Sequence, residues 1–205
     1  MSTNGKKSQQ PYKYTKANSI VDPSQDAYSL SKDEYYTLYA FFVTYSMCGS
    51  QSEKKRSLID YGWKDKNFTT SGAKAALEKV FKLDGNADFC FTAQNDLAIR
   101  FKERDLPDGI LQNLDTERAV IAKTSGGNKY LKLFYRVRDG FAHGNFSLRY
   151  NSLSEKMVVI QDQDGYNVTA RIVIKLDTLL QMVHAIDKKH LIVNTVSNIT
   201  GKEVA

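Results

Sequence analysis

The sequence predicts a mainly α domain, a helical bundle carrying a small three-stranded antiparallel β-meander inserted before its last helix. Three observations lead there. Apolar residues recur at helical spacing in successive segments up to residue 142. After Gly144 the pattern switches to alternation rich in Val, Ile and Tyr. The 205 residues are 41% hydrophobic and 25% charged, which suits a soluble chain with a sizeable core.

The elements follow in order. Residues 1–29 are polar and lysine-rich with little periodicity, and read as a mobile or loosely docked arm. The main domain is then 30–205. Ser31 and Glu34 form a capping box, and helical spacing continues from them through about Met47, with Gly49 as a stop. "SEKKRSLIDYGWKDKNF" mixes a short helical pattern with turn signals. "TSGAKAALEKVFKL" predicts a helix ended near "DGN". A further helix is expected from Ala87 to about Arg104, stopped by "LPDG", and another over "NLDTERAVIAKT", broken at "SGGN". The next helix spans about Lys129 to Ala142. "FSLRYNS", "KMVVIQD" and "YNVTARIVI" are the meander strands, about 146–174, with "SLSE" and "DQDG" as hairpin loops. "KLDTLLQMVHAIDKK" is the last helix, and its His184, among apolar neighbours, reads as a core residue.

Composition narrows the function. A net charge of +6 favours an acidic partner, of which nucleic acid is the commonest kind. No apolar run reaches the ~20 residues of a membrane span, and the N-terminus has no signal-peptide pattern, so a cytoplasmic protein without membrane contact is expected. Cys48 and Cys90 sit in apolar surroundings and form no Cys-x-x-Cys or Cys/His cluster. No metal site and no cofactor are expected.

The segment "YRVRDGFAHGNFSLRY" concentrates the chemistry. On a helix turning ~100° per residue, Tyr130, Phe134, Val137 and Phe141 form an apolar stripe. Lys132, Arg136, Asp139 and His143 share the same spacing on the far side. Asp139 and His143 are four apart and can touch, and a carboxylate beside an imidazole fixes its tautomer and raises its pKa. Arg138 lies ~140° around a straight helix from His143. The two act together only if the helix bends or ends between them, or if two chains share the site. Gly140 offers a bend and Gly144 a stop. The plain structural alternative is a helix end whose histidine meets the helix dipole and whose arginine pairs with Asp139.

The nine residues "RDGFAHGNF" resemble the Arg-x4-His motif of the HEPN superfamily in its common RNxxAHG form. The helices, motif helix and following meander are similar to plasmid- and phage-defence branches of that superfamily. The resemblance implies a HEPN-like helical bundle and a metal-independent endoribonuclease. It also implies a homodimer through the motif helix, a bacterial defence or toxin role, and a neutralising partner protein. By motif position, Arg138 matches the arginine, Asp139 its polar neighbour (where asparagine is commoner) and His143 the histidine. Arg136 is a second candidate arginine: straight-helix geometry favours it, whereas the polar residue that follows favours Arg138. Arg136, Lys132 and Asn145 are the candidate RNA contacts around the site. RNA carries its own nucleophile, the 2′-hydroxyl, so a base and a charge stabiliser suffice to give a 2′,3′-cyclic phosphate and a 5′-hydroxyl. The alternative is a non-catalytic module binding RNA or protein.

Overall fold

A computed structural model describes residues 10–47, 54–81, 89–123, 128–192 and 194. In chain order they form α1 (Lys32–Leu38), running on as a π-helical segment (Tyr39–Thr44), α2 (Ala73–Phe81), β1 (Phe89–Thr92), α3 (Leu97–Glu103) and β2 (Arg118–Ala122). Then come α4 (Lys129–Ala142), β3 (Phe146–Tyr150), β4 (Lys156–Asp164), β5 (Asn167–Lys175) and α5 (Leu176–Ile186). The strands make one five-stranded sheet in the order β1-β2-β5-β4-β3. β1 and β2 are parallel, and the other neighbours are antiparallel.

This is an α/β fold, and it overturns the expected mainly α, HEPN-like bundle with a three-stranded meander. The three meander strands exist, but as part of a larger mixed sheet. The error lies in two segments. The helices expected from Ala87 to Arg104 and over "NLDTERAVIAKT" each contain a strand, β1 and β2. All five residues of β2 are buried. A strand covered on both faces loses its alternation and reads as a continuous apolar run, "AVIA", which periodicity cannot separate from a short buried helix. α3 lies in the crossover between β1 and β2, the connection that parallel neighbours require.

Each face of the sheet carries its own core. On one, Ala119, Ile121, Val158, Ile160, Ala170, Ile172 and Ile174 meet the helices α1, α2, α4 and α5. Phe134 and Phe141 of α4 interlock there with Phe41 and Phe42 of the π-helical segment at ring distances of 5.9–6.2 Å. Burying each such ring stabilises the fold by roughly 1.5–3 kcal/mol. On the other face, Val120, Val159 and Val173 pack under Leu97 and Phe101 of α3 and under Ile20.

Ile20 belongs to the N-terminal arm, of which residues 10–28 are docked on the sheet. Lys13 bridges to Asn167 at the start of β5, the Val168 amide donates to the Tyr12 carbonyl at 3.0 Å, and the Ala27 amide donates to the Leu148 carbonyl at 2.7 Å. The fully buried Arg171 ties arm, loop and sheet together. Its guanidinium donates to the carbonyls of Asn18 and Leu106, to the Gln161 side chain at 3.1 Å and to Asp108 at 3.0 Å. A buried guanidinium needs such a set of acceptors to offset its lost hydration. Residues 1–9 of the expected mobile arm lie outside the described residues.

Among the described residues, no helix is long and apolar enough to cross a membrane, and no group of three or more His, Cys, Asp or Glu could hold a metal ion. Cys90 lies half-buried on β1, Cys48 falls outside the described residues, and His184 is exposed on α5 rather than in the core.

Candidate active site

The candidate site is the outer face and C-terminal end of α4. The helix starts where the Asn128 side chain accepts the Tyr130 amide at 2.8 Å. It runs unbroken through Gly140, which is not a bend. A Cβ at Gly140 would stand 2.3 Å from Cγ2 of Ile160, so the missing side chain lets α4 lie directly on β4. The helix ends as the sequence suggests: the His143 amide donates to the Asp139 carbonyl at 3.0 Å, and Gly144 follows with φ +66°. The chain is then clamped to the sheet, because the Asn145 amide donates to the Gly140 carbonyl at 2.8 Å and the Asn145 carbonyl accepts from Gln161 at 3.2 Å. Asn145 therefore positions the helix end through its backbone.

The two candidate arginines pair with different aspartates. Arg136 points inward and is buried. Its guanidinium meets the Asp162 carboxylate of β4 at 2.6 Å, and that carboxylate also accepts from Thr169. The register between β4 and β5 shifts after Asp162 and skips Thr169, which frees Thr169 for this bond. Burial pushes the Asp162 carboxyl above its usual range despite the arginine and the threonine beside it. Arg136 is thus committed to the interior.

Arg138 lies at the edge of the exposed face. Its Nη1 contacts the Asp139 carboxylate at 2.5 Å, and its Nε is buried with no hydrogen-bond partner among the described residues. Asp139 is buried and turned toward Arg138 and Tyr135 rather than toward His143. The expected carboxylate–imidazole contact does not form; residues 139 and 143 meet through their main chains alone. The Asp139 carboxylate holds the Tyr135 hydroxyl above the ordinary tyrosine range. His143 is exposed, and its imidazole has no hydrogen-bond partner among the described residues. Lys132 is half-buried on the same side of the helix.

With Tyr135 as the centre of the exposed face, Arg138 lies ~60° to one side and His143 ~80° to the other. Asp139 and Ala142 lie between them. Tyr135 is the residue that the motif reading missed. It stands four residues before Asp139 and eight before His143, a helical spacing that signals it. The ring is 38% exposed, with the Arg136 guanidinium 5.3 Å from its centroid.

No protein-family model matches the chain, and neither curated proteins nor solved structures give a match.

Proposed function

We propose that this chain is a cytoplasmic endoribonuclease, acting as a homodimer whose outer α4 faces meet across a twofold axis. The observation that carries the proposal is the sorting of α4: His143 is exposed and uncommitted, Arg138 borders the same face, and Arg136 is withdrawn into a buried ion pair. Within one chain His143 and Arg138 diverge. Across a twofold axis, the arginine of one subunit comes opposite the histidine of the other, and one cleft holds two imidazoles and two guanidiniums.

The chemistry follows from those groups. One His143 accepts the 2′-hydroxyl proton as that oxygen attacks the adjacent phosphorus. Arg138 leaves Asp139 to hold the non-bridging oxygens, whose charge grows in the phosphorane. That proton returns from His143, through water, to the departing 5′-oxygen. The P–O5′ bond breaks, leaving a 2′,3′-cyclic phosphate and a 5′-hydroxyl. A bacterial defence or toxin role rests on the motif resemblance alone.

The Arg138–Asp139 contact favours a second reading, a non-catalytic module that binds RNA or protein, because it occupies the guanidinium that catalysis needs. Incubation of labelled RNA in EDTA decides between the two. The nuclease reading predicts cyclic-phosphate ends from wild type and a loss of about 10²–10⁴ in rate for His143→Ala. Binding without cleavage by wild type establishes the second reading.

A further inference from the structure

Beside the end of α4 lies an open groove of about 740 Å³, bounded by the chain entering α1, by α1 itself and by β3. Its lining is unusually aromatic: Tyr28, Tyr35, Tyr36 and Phe146, with Lys32 at the rim. We infer that this groove binds unpaired RNA by stacking bases on Tyr35 and its neighbours, and feeds the strand to His143. The inference rests on the RNA reading above for its partner class, but not on cleavage.

Three observations support it. First, one ring is presented: Tyr35 is 42% exposed, yet held in place by stacking on Tyr39 at 4.3 Å with 27° between planes, while Tyr28, Tyr36 and Phe146 are partly buried beside it. Stacking on a fixed ring tolerates any base, because every base has a π-face. A duplex keeps its bases paired and stacked on each other, so such a platform selects single strands. Second, the groove adjoins the α4 end through Phe146, which lines it. The Tyr39 hydroxyl donates to the Phe141 carbonyl at 2.9 Å, the Phe141 and Phe146 rings lie 4.8 Å apart, and His143 falls between these two phenylalanines in the chain. Third, Lys32 offers a contact for the phosphate backbone, being exposed near the Tyr36 ring. The nearby carboxylates of Asp26 and Glu34 are engaged, Asp26 by the Leu148 amide at 2.7 Å and Glu34 by Lys156 at 3.0 Å.

The test is fluorescence anisotropy with a dye-labelled 2′-O-methyl RNA of about ten nucleotides, within the span such grooves cover. Lacking the 2′-hydroxyl, this strand binds but cannot be cut by the proposed reaction. Wild type is expected to bind the single strand more tightly than the same strand in duplex. Tyr35→Ala should weaken single-strand binding about tenfold or more, while Tyr35→Phe, which keeps the ring, should retain it. Lys32→Ala should lower the salt dependence by about one unit of slope. The inference is overturned if Tyr35→Ala binds as wild type does, if duplex is preferred, or if wild type binds neither form; a peptide or protein groove would give that last result. Tyr35-dependent binding without cleavage of natural RNA sinks the nuclease reading and keeps this one. Cleavage that is indifferent to Tyr35→Ala does the reverse.

Discussion

The inner and outer faces of α4 each carry an arginine and an aromatic ring and put them to different uses. Inward, Arg136, Gly140 and Phe141 fit the helix to the sheet: the arginine reaches Asp162, the glycine admits Ile160, and the phenylalanine fills the aromatic core. Outward, Tyr135 and His143 are exposed, and Arg138 borders them in a partly buried contact with Asp139. An arginine two residues from another, with the same charge and reach, is a structural strut on one side and a candidate catalytic group on the other. Helix phase alone makes the difference, since two positions turn the side chain by ~200°.

Substitutions can break or sharpen that contrast. The largest expected effect is on the outer face. His143→Ala should remove cleavage without moving the melting temperature, because the side chain is exposed and engages nothing among the described residues. A melting shift of several degrees would mean that the outer face is structural too. Next is Arg136→Ala, which leaves the Asp162 carboxylate buried without its partner and should cost about 3–5 kcal/mol in denaturant unfolding. The double change Arg136→Met with Asp162→Leu should recover most of that loss, since the pair is expensive to break but replaceable as a unit. Arg138→Ala should cost less, about 1–2 kcal/mol, for a partly buried contact with Asp139.

Gly140→Ala is of similar size. Its added methyl meets a β-branched side chain at 2.3 Å, and overpacking of that kind costs typically about 1–3 kcal/mol. If unfolding experiments find the variant more stable, as helix propensity alone would have it, then α4 does not lie as close to β4 as described. The smallest effect is pH-dependent. Burial raises the Asp162 pKa in the folded state, so the folded protein holds that proton more tightly than the unfolded chain does. The stability of wild type relative to Asp162→Asn should therefore fall as pH rises from about 4, the ordinary aspartate value, through the raised folded value. Melting curves of the two proteins across that range check the sign, and a rise would show that the arginine outweighs burial.

Legibility in the sequence followed the same division. The capping box of Ser31 and Glu34, the stop at Gly144 and the three meander strands were readable because each is set by neighbours a few residues apart. β1 and β2 were not: their pairing spans Phe89 to Ala119, and their sequences are short apolar runs without period. Arg136 offered no local sign of its fate. Its partner lies 26 residues away, and the only hint was a carboxylate inside the apolar strand "MVVIQD". The contact expected between Asp139 and His143 failed because both Arg138 and Tyr135 were better placed to take the carboxylate.

The account rests on the outer α4 face being completed by a second subunit, and mixing two inactive variants tests this most directly. Arg138→Ala and His143→Ala, denatured and refolded together, give heterodimers in which one of the two sites combines an intact arginine from one chain with an intact histidine from the other. RNA cleavage should return to about a quarter of the wild-type rate, as random twofold pairing dictates. A mixture as inactive as its separate components, with heterodimers verified by mass, would contradict the shared site.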